Sequence, residues 1–323
     1  MKKILSLLVV CVMIAAACKK DSGKLENKPD GTATGQKFPV SFKVSEFSSN
    51  VSPFPAQGNH KGQKVSGLSD QIKYLYYYVA KESDSLTMLK SIKQVYSTNP
   101  DSPDNYDFGF LQDTLPAGKY QIYIIGSNRP DADVYFIKEE QIYTPPGVYL
   151  DFTNWDETND IGDNFYKKLH LTVTQASPNE VKLDRLVGKV NVKALDAIPQ
   201  GISKVKVCFG TGSFLFDLGS GNGIYHSGSI PFRTIEYLIK PEDIGKKDLT
   251  LSTYFWEAGV SVNLYIYNAA GEEIDHKFVS NGVSLKKNTM VTFSGKFFSL
   301  GQGFRVTLND QWGPETNQGF EYP

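Results

Sequence analysis

Apolar side chains recur at every second position in short runs along this chain, and that periodicity constrains the fold more than anything else in the sequence. Val40, Phe42 and Val44 alternate with Ser41, Lys43 and Ser45, the pattern of a strand with one buried face. In the next run, Ile72, Tyr74, Tyr76 and Tyr78 share one side while Leu75, Tyr77 and Val79 share the other. Such a strand is hydrophobic on both faces, so it predicts a central strand covered on both sides. The chain holds 20 Phe and 18 Tyr against 4 Met. Aromatic and β-branched residues fit pleated, half-buried surfaces, and long helical patterns are lacking. An all-β fold follows.

The same reading places strands at 121–125, 134–137, 148–152, 169–173, 204–209, 249–255, 262–267, 274–279, 290–298 and 304–308. Residues 85–96 fit either a strand or a short helix. Leu115-Pro116-Ala117-Gly118 is a turn feeding a strand, since proline presets φ at a corner and glycine tolerates positive φ. Asn268-Ala269-Ala270-Gly271 reads as a hairpin loop, Ser177-Pro178-Asn179 as a turn, and residues 240–246 as a helical turn. Val181, Leu183, Arg185 and Val187 share one parity, whereas Leu186, Val190 and Val192 share the other. That change near Gly188 predicts a β-bulge or kink in one long strand.

The first residues carry a different signal. Lys2 and Lys3 precede the apolar run 4–14, and Ala15-Ala16-Ala17 precede Cys18. A basic start, a short apolar core and small residues before a cut site mark a secretory signal peptide. The core is shorter than the ~20 apolar residues that span a bilayer. Cys18 directly after three alanines resembles a bacterial lipobox, in which the thiol is lipidated and the signal cut before it. Each buried CH₂ contributes about 0.8 kcal/mol, so two or more acyl chains anchor a protein stably. Residues 19–37 hold one sizeable aliphatic side chain, Leu25. They cannot offset the entropy of ordering and read as a flexible tether.

Composition narrows the function. Loss of Lys2 and Lys3 takes 34 basic residues to 32 against 35 acidic ones, a formal charge of −3. This gives no electrostatic reason to bind nucleic acid. Of the three cysteines, Cys11 leaves with the signal and Cys18 takes lipid. Cys208, inside an alternating strand, reads as a small buried hydrophobe. No disulfide framework exists. His60, His170, His226 and His276 lie at no metal-ligand spacing. Asp151, Asp156, Glu157, Asp160 and Asp163 miss the alternation of a calcium loop and read as a solvated loop. The glycine-rich stretches 210–213 and 219–223 lack a following Lys-Ser/Thr pair, so they do not read as phosphate loops. No catalytic constellation emerges, and neither an enzyme activity nor a cofactor is expected. Trp155, Trp256 and Trp312 stand at strand ends or in loops, where core or rim packing is the plain reading and sugar stacking the alternative.

Several pieces, in order, resemble the fimbrillin superfamily of Bacteroidota lipoproteins, and especially its anchor-type minor fimbrial subunits. They are Ala15–Cys18, Leu115–Tyr120, Phe165-Tyr166, Val181–Val192, Val262–Tyr267 with Gly271, Asn281–Thr289 and Gly295–Phe298. The resemblance implies two tandem transthyretin-like β-sandwich domains and a role in surface fimbriae and cell adhesion. It also implies subunits joined by donation of a strand to an open sheet edge. Stalk subunits of that family lose their first strand to an arginine-specific protease. This chain departs from that pattern: its first arginine is Arg129, so the strand at 40–47 is expected to stay in place, with Lys61 or Lys64 available to a lysine-specific enzyme instead.

The expected organisation is a signal peptide over 1–17, a lipidated linker over 18–37, an N-terminal sandwich over 38–168 and a C-terminal sandwich over 169–323. The expected protein is a non-enzymatic lipoprotein of the outer membrane, exposed at the cell surface. Its partners are the membrane, through Cys18, and other fimbrial subunits, with the strand at 304–308 and its tail as a donor candidate. The alternative is a surface lipoprotein that binds glycan through exposed aromatics.

Overall fold

A computed structural model describes residues 35–47, 67–99, 101–141, 144–152, 160–210, 213–225, 232–256, 258–299, 304–309 and 319–320. The expected signal peptide, Cys18, most of the expected tether, His60, His226, Trp155 and Trp312 lie outside the described residues. The described chain is nearly all β, as its alternation requires.

The first sandwich comes from one seven-stranded sheet bent back on itself. Its strands are β1 (Lys37–Phe47), β2 (Tyr74–Lys81), β3 (Asp84–Val95), β4 (Phe110–Pro116), β5 (Gly118–Ser127), β8 (Asn164–Val173) and β9 (Ser177–Arg185). Between β5 and β8 come β6 (Ala132–Ile137) and β7 (Gly147–Phe152), which join another sheet. The order is β3-β2-β5-β8-β9-β1-β4. β8 and β9 pair at Phe165↔Arg185 and Tyr166↔Asp184 alone. There the sheet turns a corner, so that β3-β2-β5-β8 packs over β9-β1-β4. Phe42, Leu75, Tyr77, Ile122, Ile124 and Leu183 fill the space between.

The second sandwich packs two sheets of the later chain. One has the order β15-β10-β18-β19-β20, from β10 (Gly188–Ala194), β15 (Thr250–Phe255), β18 (Met290–Gly295), β19 (Arg305–Asn309) and β20 (Gly319–Phe320). The other has the order β14-β11-β16-β17, from β11 (Ile202–Gly210), β14 (Phe232–Leu238), β16 (Ala258–Asn268) and β17 (Glu273–Leu285). Val190, Val192, Val207, Phe209, Leu264 and Phe293 belong to their common core. The β16–β17 hairpin turns as its sequence predicts. Asn268 Oδ1 accepts from the Ala270 and Glu272 amides at 2.9 Å, and Gly271 takes φ 81°.

A fourth sheet joins the two halves. β12 (Ser213–Asp217) and β13 (Asn222–Tyr225) form a hairpin of the later chain, and β12 pairs with β7 to give the order β13-β12-β7-β6. This sheet covers the second face of β2 and β5, burying Tyr76, Tyr78, Tyr123 and Ile125 against Val148, Leu150 and Phe216. Both faces of β2 are thereby buried, but Ile72, expected beside Tyr74, Tyr76 and Tyr78, precedes the strand and packs instead with Leu75 and Tyr77. Gly35–Pro323 accordingly forms one compact unit.

Several expectations shift. Residue 168 lies in the middle of β8, which pairs with β5 from Asn164 to Val173. The boundary expected after 168 falls inside that ladder, and the following strand, β9, ends at Arg185. The parity change near Gly188 is no bulge in one strand. It is the crossing between sandwiches, with Leu186 and Val187 buried in the shared core. The reversal expected at Ser177–Asn179 falls earlier, at Thr174 and Gln175, because β9 already begins at Ser177. Residues 85–96 resolve as the edge strand β3, and 240–246 tighten to a 3₁₀ turn at Pro241–Asp243. Cys208 is free and part-exposed. Val205, Val207 and Phe209 take the inner face of β11, which turns Cys208 outward rather than into the core.

At the crossing, a Cβ on Gly188 would run into the Leu285 side chain and lie 2.6 Å from the Lys286 carbonyl oxygen. Gly188→Ala is therefore expected to cost about 1–3 kcal/mol through overpacking, read as a fall in Tm of several degrees by calorimetry.

Candidate functional site: the first strand and the junction of the sheets

The resemblance to fimbrial subunits directs attention to β1. It is an inner strand, antiparallel to β4 over Lys37–Lys43 and parallel to β9 over Val40–Phe47, with a register shift between Val44 and Glu46. Alternation sends Val40, Phe42 and Val44 into the core, and Phe42 meets Tyr77 at a centroid distance of 5.4 Å. Burial of such side chains contributes about 1.5–3 kcal/mol each. Asn179 Nδ2 donates to the Ser41 carbonyl at 3.2 Å, and the Val44 amide donates to Gly109 at 2.8 Å. Removing β1 would open an apolar trough and leave the facing groups of β4 and β9 without ladder partners.

The open side of this sandwich lies between the edge strands β3 and β4, and polar side chains bridge it. Asp113 points inward from β4, where it accepts from the Lys90 ammonium and, at 3.2 Å, from the Tyr77 hydroxyl. Burial, then the Asp113 carboxylate, push the Tyr77 hydroxyl far above its ordinary range. Gln94 on β3 donates to the Phe110 carbonyl at 2.9 Å and accepts from the Gly109 amide at 3.0 Å. Lysine on an edge and inward-pointing charge both discourage edge-to-edge pairing. At the other end of the chain, β19 pairs with β18 along Met290–Ser294, and Val306 and Thr307 pair with β20. The predicted donor strand is thus occupied within its own sheet.

The junction carries the strongest electrostatics. Arg185 donates through Nε and Nη2 to the two Asp163 oxygens, both at 2.8 Å, and the side chains are 1% and 3% exposed. Arg185 Nη1 also reaches Asn288 Oδ1 at 3.1 Å, and its guanidinium lies 5.0 Å from the Phe165 ring centre. Burial pushes the Asp163 carboxyl up, while Arg185 and Lys189 act to lower it. Asp160 Oδ1 accepts from the Thr253 hydroxyl at 3.0 Å and the Tyr254 amide at 3.1 Å, capping the edge strand β15. The expected solvated acidic loop is thereby corrected at Asp160 and Asp163, which are structural groups of the joint; Asp156 and Glu157 lie outside the described residues. Beside the ion pair, burial lowers the Lys189 ammonium from 10.5 to about 8, against the opposing pull of Asp163 and Asp160.

Trp256 belongs to this joint. It is 2% exposed, stacks on Phe152 at 6.1 Å and lies 5.2 Å from Phe216, so it has no face to offer a sugar. His170 is exposed with Nδ1 3.1 Å from Glu82 Oε1. Among the described residues, no group of His, Cys, Asp and Glu could hold a metal ion. Sequence reasoning missed the Asp163–Arg185 pair; its one trace was an arginine on the buried parity of residues 181–187.

No protein-family model matches the chain, and no curated protein matches its sequence. Solved structures do align with it. A candidate polysaccharide-binding protein of Bacteroides thetaiotaomicron covers 87% of this chain and 99% of its own, at 10% identity and TM-score 0.49. A candidate adhesin of the same organism covers 85% and 96%, at 13% identity and TM-score 0.49. The fimbrial anchor protein Mfa2 of Porphyromonas gingivalis covers 85% and 98%, at 12% identity and TM-score 0.43.

Two outcomes follow for the joint. Asp163→Asn leaves a buried guanidinium uncompensated and is expected to cost about 3–5 kcal/mol by denaturant unfolding, whereas Asp163→Leu with Arg185→Met costs less than the sum of the single changes. The unfolded chain keeps the Lys189 proton to about 10.4, while the folded chain releases it near 8. The unfolded state therefore binds more protons in that window, and stability rises with pH from about 8 to 10. Lys189→Gln is expected to flatten that rise in urea midpoints measured across the window.

Proposed function

We propose that the chain is a non-enzymatic lipoprotein held at the outer membrane by acyl chains on Cys18, where it serves as an anchor or accessory subunit of a fimbria. The carrying observation is the seat of β1. Three core side chains and two ladders hold it as an inner strand, and no arginine precedes Arg129 to let an arginine-specific protease release it. A sandwich that keeps its first strand has no vacant trough to accept a donor. It would sit at the base or end of a fibre rather than along the stalk. Residues 19–37 supply the reach from the membrane. In this reading the folded chain is two sandwich modules divided at 186–188, and a neighbouring subunit joins at one of the outer strands.

Donation by β19 would require it to leave β18 and β20. The glycan alternative loses Trp256, which is buried in the joint.

Intact-mass analysis and N-terminal sequencing of the protein extracted from the cell surface test the proposal. The expected species begins at an acylated Cys18, and Cys18→Ser abolishes fatty-acid labelling and releases the protein from the membrane fraction. A mature start beyond residue 50 would defeat the anchor reading.

A further inference from the structure

The two outer faces of the second sandwich differ in chemistry. On the β15-β10-β18 side, Ser252, Asn191 and Thr292 occupy one cross-strand row. They form a polar ladder, with Ser252 Oγ donating to Asn191 Oδ1 at 2.8 Å and Asn191 Nδ2 to Thr292 Oγ1 at 3.2 Å. Such a face satisfies itself and water. The outer face of β14-β11-β16-β17 is built otherwise. Register places Glu236, Lys206, Tyr265 and His276 in one row. The next row holds Thr234, Cys208, Asn263 and Phe278.

Alternation fixes the direction of these side chains, because Val205, Val207, Leu264 and Ile266 take the core side of the same strands. Tyr265 and His276 stack at 4.3 Å and 13°. His276 Nε2 lies 3.4 Å from Asn263 Oδ1. Phe278 beside them is 61% exposed, and Ile274, also on β17, is 53% exposed. On the inner strand β11, Lys204 lies 4.4 Å from the Tyr267 ring centre and 3.2 Å from Glu236.

We propose that this face is a saccharide-binding surface, with Phe278 and the exposed side of the Tyr265–His276 stack as the apolar platform and Asn263, Lys206 and Glu236 as the groups that hydrogen-bond hydroxyls. A sugar ring has an apolar C–H face and a rim of hydroxyls that both donate and accept. It is therefore matched by rings interleaved at close range with hydrogen-bond donors and acceptors, here an amide, a carboxylate and an ammonium. The register supplies that mixture within two adjacent rows. A protein partner would want a dry apolar centre depleted of charge. Here the centre of the face is the charged strand β11, and the apolar rings lie toward β17. The inference stands apart from the fimbrial reading. The N-terminal start and acyl state bear on that reading, and the array below bears on this one, so either can fail alone.

The test presents the full chain, in detergent micelles, to an array of host and bacterial-surface oligosaccharides. It compares the wild type with Phe278→Ala, Tyr265→Ala and, on the opposite face, Thr292→Ala, each checked for wild-type Tm. The wild type is expected to bind at least one saccharide. Phe278→Ala and Tyr265→Ala each weaken that binding about tenfold or more, and Thr292→Ala leaves it unchanged. Phe278 is so exposed that its truncation leaves the fold intact, which keeps the comparison decisive if Tyr265→Ala unfolds. Absence of any bound saccharide, or binding indifferent to Phe278→Ala, overturns the proposal. So does self-association in sedimentation that Phe278→Ala abolishes while the array stays blank, since that marks a protein contact instead.

Discussion

The architecture depends on one constraint: β2 and β5 are apolar on both faces. A sheet can bury one face by folding back on itself, and β9-β1-β4 does this for Leu75, Tyr77, Ile122 and Ile124. The opposite face, with Tyr76, Tyr78, Tyr123 and Ile125, then needs a second cover. β6 and β7 supply part of it, and the β12–β13 hairpin extends that sheet from the far half of the chain. Long-range burial holds the halves together without a disulfide among the described residues, where Cys208 is free. Tyr166 reinforces the arrangement by donating its hydroxyl to the Leu218 carbonyl at 2.8 Å across the same core.

Charge at the joint is organised around that burial rather than added to it. Asp163 and Arg185 are withdrawn from water almost completely, and a pair so placed contributes little net stability compared with an apolar replacement. What the bidentate geometry does fix is direction, because Arg185 ends β9 one residue before the chain crosses into the second sandwich. Asn288, at φ 56° in the turn before β18, meets the same guanidinium from the other side. The joint is tied from both sandwiches to one planar group.

Much of this was readable from the residues, and the misses have physical causes. Period two is a local property, so the strands at 40–44, 74–79, 204–209 and 262–267 stand out without tertiary knowledge, as do turns with their own chemistry at Pro116–Gly118 and Asn268–Gly271. Parity also showed that residues 74–79 need cover on both faces, though it misassigned Ile72, which lies before the strand. It could not say which segment provides the cover, because β12 is short and meets β7 from more than sixty residues away along the chain. The crossing at Gly188 was visible as a parity change but fits a bulge equally well when only one strand is considered. Cys208 was misplaced because a cysteine between Val207 and Phe209 resembles its apolar neighbours in hydropathy, while its position places it with Lys206 and Lys204. The candidate saccharide face was least legible of all, since it exists only once four strands are set in register.

The parallel seat of β1 beside β9, with β4 antiparallel on its other side, has a mechanical meaning. A pull along the chain at Lys37 would run down the strand axis and load both ladders in shear, so their bonds would share the tension instead of opening one after another. The side chains of Val40, Phe42 and Val44 would have to drag through a packed interior before the strand could slip. Traction applied at Lys37 would meet β1 along the axis in which its two ladders resist together.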